Sequence, residues 1–544
     1  MRPAFALITL LIVAGPAAVP VVGCLTHLPR EPGRVAGLTL TTIALAGLAV
    51  AVAVPLGLVV GLALGRARRW TTVGWVAVAV GAAVPLPVVA VAWQVVLGGL
   101  LPAAGLAPGE PAAWRPWREG LLPAGLVHGL AGVPWVAAAV ALAVRTTDRG
   151  LEAAARLSGG WGAVVQRVIL PRAALGALAA GGWVGLQPAT EIPVTDAMLV
   201  RTAAEEVYTQ MVTDAGGVPA AVALTLPAWL LSGGIAWLVV GRARRALGHA
   251  GAAGLAPVPT GTPRGLRFAL TLAAILVGLG AVGLPLAALG WKAGGGASRA
   301  GFAPGTLTSE LGNVVRTDGV TLAESLLAAG GTGLVAAGLA AGAAWQMRTS
   351  RLAERGWLLV AVAAAVTPGP VVGLGLKTII RHVVEAEAQL LSAAGVTLTF
   401  PPAASLLYDQ PSPVPAVWAA VARLFPVALL VLWPAARLVP QSLIDQARLD
   451  GFGFSGTVRR VGWPQLGPAV LAAAVAVAAL AMGEVSASRQ VDPAGRGAYV
   501  LRLFAQMHYG AESAVAAMAL VQVASVGLVV TAGAWAFRPG ENAA

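Results

Sequence analysis

Two acids, Glu191 and Glu484, occupy matching places 293 positions apart, each just after a long apolar run. A carboxylate beside such a run is costly to bury, so it marks either a water-filled path or a solvated helix end. Both readings stand at this stage, the first making the pair a candidate outer gate. The remaining titratable residues point to little chemistry. His128, His382 and His508 share no metal-ligand spacing, and no HExxH string occurs, so neither a metal site nor a catalytic residue is expected. Cys24 is the single cysteine, which excludes a disulfide framework and any CxxC site. Two strings imitate nucleotide-binding loops. Gly451-Phe-Gly453-Phe-Ser-Gly456 satisfies GxGxxG, but no strand precedes it. Gly373-Leu-Gly375-Leu-Lys377-Thr378 has Leu376 between Gly and Lys and lies in an apolar run. The chain is expected to bind no cofactor and to have no ATP site of its own.

The elements that carry these residues follow from composition. Of 544 residues, 58% are hydrophobic and 11% charged, less than half the charged share of a soluble domain. Mean hydropathy is +0.80, and the apolar residues come in blocks of about 20, the length that crosses a bilayer as a helix. A soluble enzyme, a disordered chain and a nucleic-acid binder are excluded. The expected fold is an all-α polytopic membrane protein whose first partner is the lipid bilayer. The net charge of +13 sits in short Arg clusters between apolar blocks, as cytoplasmic loops require.

About twelve spans are read, at 4–25, 38–64, 72–100, 121–144, 173–190 and 218–240, then 267–290, 320–345, 357–377, 415–436, 465–483 and 513–536. Pro85, Pro87, Pro368 and Pro370 fall inside the third and ninth spans, where a kink is expected. Arg66, Arg145, Arg156, Arg348, Arg437 and Arg448 then lie on one side, which places both termini in the cytoplasm. The run from Arg2 to Cys24 faintly resembles a cleaved lipoprotein signal, but losing it would break the repeat described next, so an uncleaved first helix is expected.

The halves match by offset. Arg66 pairs with Arg348 at 282, Val84–Val89 with Thr367–Val372 at 283, and Ala155–Gly159 with Ala447–Gly451 at 292. Offsets that shift by single steps, apart from about nine residues gained in the loop before span 10, define two modules, 1–248 and 266–544, joined by a Gly/Pro-rich linker at 249–265. Six spans per half is an even number, so the repeats are parallel, with a path expected on their shared axis.

The most informative segment lies between spans 4 and 5 and recurs between spans 10 and 11. The first copy runs from Glu152 to Pro171, the second from Ile444 to Pro464. An Ala-rich helical stretch, a glycine that permits reversal (Gly159, Gly451) and a proline expected to start the next membrane helix (Pro171, Pro464) follow one another in both. The second copy, with Asp445 in the acidic position and Gly451 seventh, resembles the EAA loop of ABC-transporter permeases. The first departs from it, since Ala153 holds the acidic position, Glu152 stands one place early, and one residue is missing after Gly159.

The resemblance implies two fused permease modules in a bacterial inner membrane, coupled through these loops to two separate cytoplasmic ATPase subunits that use the ATP. It also implies a periplasmic substrate-binding protein on the outer loops. Glu484, Pro493 and Tyr509-Gly510 are similar to the outer segment of ferric-iron importers, with thiamine or another small solute as the alternative cargo. A twelve-span secondary, ion-coupled carrier is the other reading. The span centres, nearly free of ionisable residues, argue against it.

Overall fold

The computed structural model describes residues 2–24, 31–67, 71–100, 117–213, 217–249, 262–296, 301–409, 412–492, 497–507 and 512–536. Residues 250–261 of the expected linker, Pro493, His508, Tyr509 and Gly510 lie outside them. Among the described residues every regular element is helical. Nine helices among the described residues are long and apolar enough to cross a membrane, up to twelve if each bent pair counts as one span. The chain is an all-α polytopic membrane protein.

The element order of the first half returns in the second. The first half comprises α1 (Arg2–Val13), α2 (Gly15–Cys24), α3 (Pro32–Arg66), α4 (Thr71–Ala83), α5 (Leu86–Val95) and α6 (Leu121–Arg145). It continues with α7 (Arg149–Val164), α8 (Leu170–Thr190), α9 (Pro193–Ala197), α10 (Ala203–Thr213) and α11 (Gly217–His249). The second opens with α12 (Arg264–Gly278), α13 (Leu284–Ala293), α14 (Pro304–Met347), α15 (Arg351–Val366), α16 (Gly369–Ala393) and the short α17 (Pro402–Ala404). It ends with α18 (Val414–Leu438), α19 (Gln441–Leu449), α20 (Phe454–Thr457), α21 (Trp463–Ala481), α22 (Ser488–Val491), α23 (Tyr499–Gln506) and α24 (Glu512–Ala536).

In lipid no hydrophobic force drives helix on helix, so close approach through small residues must supply the packing. The α3–α6 pair does this reciprocally. A Cβ on Gly57 or Gly61 of α3 would fall 2.5 and 2.6 Å from the Cβ atoms of Val136 and Val140, and one on Gly129 of α6 would fall 2.5 Å from that of Val52. The second half uses alanine, with Ala336, Ala340, Ala343 and Ala344 of α14 fully buried. Gly61→Leu is therefore expected to destabilise by about 1–3 kcal/mol or more by overpacking, read as a lower melting temperature in detergent. An unchanged melting temperature would contradict the packing described.

Each half also lends its first helices to the other. Ile12 of α1 accepts a hydrogen bond from Trp418 Nε1 of α18 at 3.0 Å, and Pro16 of α2 lies against Gly375 of α16. In exchange, Ala288 and Leu289 of α13 are buried in one cluster with Ala90 and Val91 of α5.

Two expectations are refined here. Spans 3 and 9 bend at the expected prolines, but as sharp breaks: α4 meets α5 at 91°, and α15 meets α16 at 104°. Pro85 and Pro368 sit at the breaks in extended conformations, and Pro87 and Pro370 fall in the first turns that follow, where a missing N–H costs nothing. At 13 residues α4 reaches about 20 Å, short of a bilayer's hydrocarbon. Second, Pro171 and Pro464 stand in the first turns of α8 and α21, as expected, but the helical runs they belong to do not start there. The helices begin about ten residues earlier, and each proline follows a π turn, Val165–Ile169 or Val458–Gly462. There Leu170 N donates to Val165 O, and Trp463 N to Val458 O, five residues back. The wider turn relieves the clash and the lost donor that proline brings to a helix interior.

Candidate functional site

Two places gather the residues singled out above. The first is the pair of loop helices. Asp148 caps α7 by accepting from Gly150 N at 2.7 Å, and the helix breaks at Gly159 (φ −171°) and Gly160 (φ 65°). In the second copy the chain leaves α19 through Gly451 at φ 83°. Gly451 N donates to Arg448 O and Phe452 N to Ala447 O, both at 3.0 Å, which is the paired closure of a Schellman turn. The left-handed residue of the first copy is thus Gly160, not Gly159. The missing residue after Gly159 displaces the turn by one position.

Both loop helices expose the same side chains. Leu157 is 91% exposed and Leu449 88%, and they are repeat equivalents. Leu151 and Leu443, also equivalent, are exposed beside them. The acids, by contrast, diverge. Asp445 is exposed and holds Gln441 at 3.0 Å and Arg448 at 3.4 Å. Ala153, in the matching position, is exposed. Glu152 turns inward, buried, and takes both Nη atoms of Arg66 at 3.1 and 2.8 Å, with that guanidinium 5.5 Å from the Trp161 ring centroid. The second half places buried Ile444 there, and Arg348 instead donates to Val439 O at 2.7 Å.

The second place lies at the far ends of the membrane helices that leave these loops. From Trp161 to Thr190 the helix rises about 45 Å and delivers Glu191 to a cavity of about 100 Å³ between the halves. The walls include Pro85, Ala131, Trp183 and Gln187 from the first half, and Arg423, Gly483 and Glu484 from the second. Here the equivalent acids behave differently. Glu191 reaches across to Arg423 Nη2 and accepts from Ser486 Oγ at 2.7 Å. Glu484 stays within its own half, accepting from Ala487 N at 2.9 Å, Ser488 N at 2.8 Å and the Ser488 hydroxyl. Nothing in the sequence reading above singles out Arg423. The available signal was its repeat counterpart, Ala131, a methyl group where the other half carries a charge.

Beyond the ends of the membrane helices away from the loops, segments of the two halves also meet. The Arg489 guanidinium lies 5.0 Å from the ring centroids of both Tyr208 in α10 and Phe504 in α23. Burial pushes the Tyr208 phenol above its ordinary range, against the pull of Arg489. Glu206 is buried between Arg34 at 2.5 Å and Gln210 at 2.8 Å. Of the histidines, His128 is buried in α6 with neither ring nitrogen bonded, and His382 is exposed with Nδ1 2.7 Å from Thr378 O. No group of three metal-binding side chains occurs among the described residues.

The fold and its apolar helices define a multi-pass membrane protein with two similarly ordered halves. No family model, curated protein or solved structure matches the chain, so any finer reading rests on its own residues.

Proposed function

We propose that the chain is the permease subunit of an ATP-driven importer of the inner membrane, both termini cytoplasmic, moving a small solute with separate ATPase and binding-protein partners. One observation carries the reading: two equivalent loop helices present almost fully exposed leucines at the same repeat position. Water does not favour two such apolar tips, and a matched pair suits two copies of one partner. The glycine turns hold these helices against the membrane helices that lead to the cavity, so a push on the loops can reach the path.

In this reading a loaded binding protein rests on the outer segments around 187–216 and 484–511, of which 214–216, 493–496 and 508–511 lie outside the described residues. Two ATPase subunits close on ATP, and the halves rock apart beside Glu191 and Glu484 before hydrolysis resets them. Ferric iron is the cargo favoured by the similarity around Glu484, with thiamine or another small solute next. An ion-coupled carrier is supported by one feature, the buried Glu191–Arg423 pair, since ionisable groups within a membrane commonly mark coupling paths.

The deciding experiment is purification of the tagged chain in mild detergent with mass spectrometry of what accompanies it. A P-loop ATPase is expected; intact protein repeatedly recovered without one would favour the carrier. A second expectation concerns Gly451. A Cβ there meets nothing within 4 Å, so the obstacle to Gly451→Val is the positive φ alone, worth roughly 1–2 kcal/mol or more for a β-branched residue. Uptake is expected to fall sharply while membrane insertion persists, and unchanged uptake would count against the coupling role.

A further inference from the structure

One guanidinium at the cavity joins three elements. Arg423 of α18 donates through Nη1 to Thr367 O at 2.7 Å, the last residue before the α15–α16 break. Through Nη2 it holds Glu191, the residue that ends α8 of the other half. Ser486 adds a second bond from the same half to the same carboxylate. The Arg423 side chain is 7% exposed and that of Glu191 22%. Nothing mirrors this arrangement across the pseudo-symmetry. The counterparts of Arg423 and Ser486 are Ala131 and Pro193, neither of which has a side chain that could repeat the bonds to a carboxylate. Glu484 spends its carboxylate on its own chain three and four residues on.

We propose that Glu191 and Arg423 form a one-sided latch that holds the two halves together beside the cavity and must open before the path does. A charged pair suits this role because each partner is strongly held when dry and well solvated when water enters between the halves. An apolar contact of equal size would resist wetting and offer no such alternative state. With one latch, separation begins at the Glu191–Arg423 edge rather than evenly about the axis. The latch needs only that the halves part there. It therefore stands whether ATPases or an ion gradient drive the movement.

The test uses the full chain with Cys24→Ser and a reporter, Ala131→Cys, in the cavity wall. A membrane-impermeant thiol reagent is applied to right-side-out and to inverted vesicles. A separate Leu449→Cys chain identifies the loop side, and the rate that matters is the one from the opposite side. Arg423→Gln or Glu191→Gln alone is expected to speed labelling at least about tenfold, the loss of one charge-assisted bond. The double variant should be no faster than either single one, because both remove the same bond. Should those variants fold poorly, Ser486→Ala is the milder probe, expected to speed labelling by roughly two- to tenfold. Glu484→Gln should change the rate far less than Glu191→Gln. Unchanged rates, singles that multiply in the double, or equal effects of the two acids would each overturn the proposal. Absence of an ATPase partner would leave these outcomes untouched.

Discussion

If the chain is the proposed importer permease, replacing Leu157 and Leu449 by aspartate is expected to release the ATPase from the purified chain and abolish uptake, with folding unaffected. Both side chains are almost fully exposed, so no contact within the chain is lost with them; surface changes of this kind usually alter stability by no more than about 0.5 kcal/mol. In a partner's groove the balance reverses. A buried apolar anchor at the centre of an interface is commonly worth about 2 kcal/mol or more, roughly thirtyfold in affinity, and a carboxylate in its place must also be desolvated. Two such sites acting together leave little binding. The single variants measure the contribution of each loop, a useful comparison because the first copy is the irregular one. Leu390→Asp is the control: this leucine is 71% exposed on α16, away from both loops, and its replacement should leave the complex intact. Retention of the ATPase by the double variant would remove the main support for the importer reading.

The loops were the legible part of this chain because their signal is local. Ala-Arg-Leu-x-Gly repeats at a fixed offset, and helix propensity followed by a left-handed glycine is written in neighbouring residues. The misplacement of the turn in the first copy, from Gly160 to Gly159, has the same origin: alignment assumes equal length up to the gap, while the backbone settles the gap within the turn itself. Hydropathy gave the number of apolar blocks, yet a sliding window cannot tell a kink from the 91° and 104° breaks at Pro85 and Pro368. That angle is set by what the second helix packs against, and α16 packs on α2 of the other half. The prolines of the loop endings do stand in first turns, as proline favours, but a π turn joins each to the helix before it, and nothing in the residue types announces that junction. Arg423 was hidden for a related reason. Its cost is met by Glu191, 232 positions away, and only the comparison with Ala131 exposes it as a residue that serves something other than helix packing.

Glu152→Gln is expected to be among the most destabilising single changes to a charged residue in this chain. Arg66 is 3% exposed and Glu152 8%, and the carboxylate takes two bonds from the guanidinium. Breaking a buried pair by removing one charge typically costs about 3–5 kcal/mol, because the remaining ion is left uncompensated in a dry site. The Trp161 face offsets only part of this. Asp445→Asn, in the acidic position of the second loop, should change the melting temperature little, since that side chain is exposed and its pairing with Arg448 is screened by water. The double variant Arg66→Met with Glu152→Leu should recover most of the loss, as removing both charges removes the penalty as well as the attraction. A sharper form moves the acid by one position. Glu152→Ala with Ala153→Glu restores the spacing of the second loop, yet residue 153 lies about 100° further round the helix and faces solvent. It cannot reach Arg66, so the rearranged loop should be as unstable as Glu152→Ala alone. A melting temperature equal to that of the unaltered chain would show that Arg66 has another partner to turn to, and that the inward acid is not what anchors the first loop to α3.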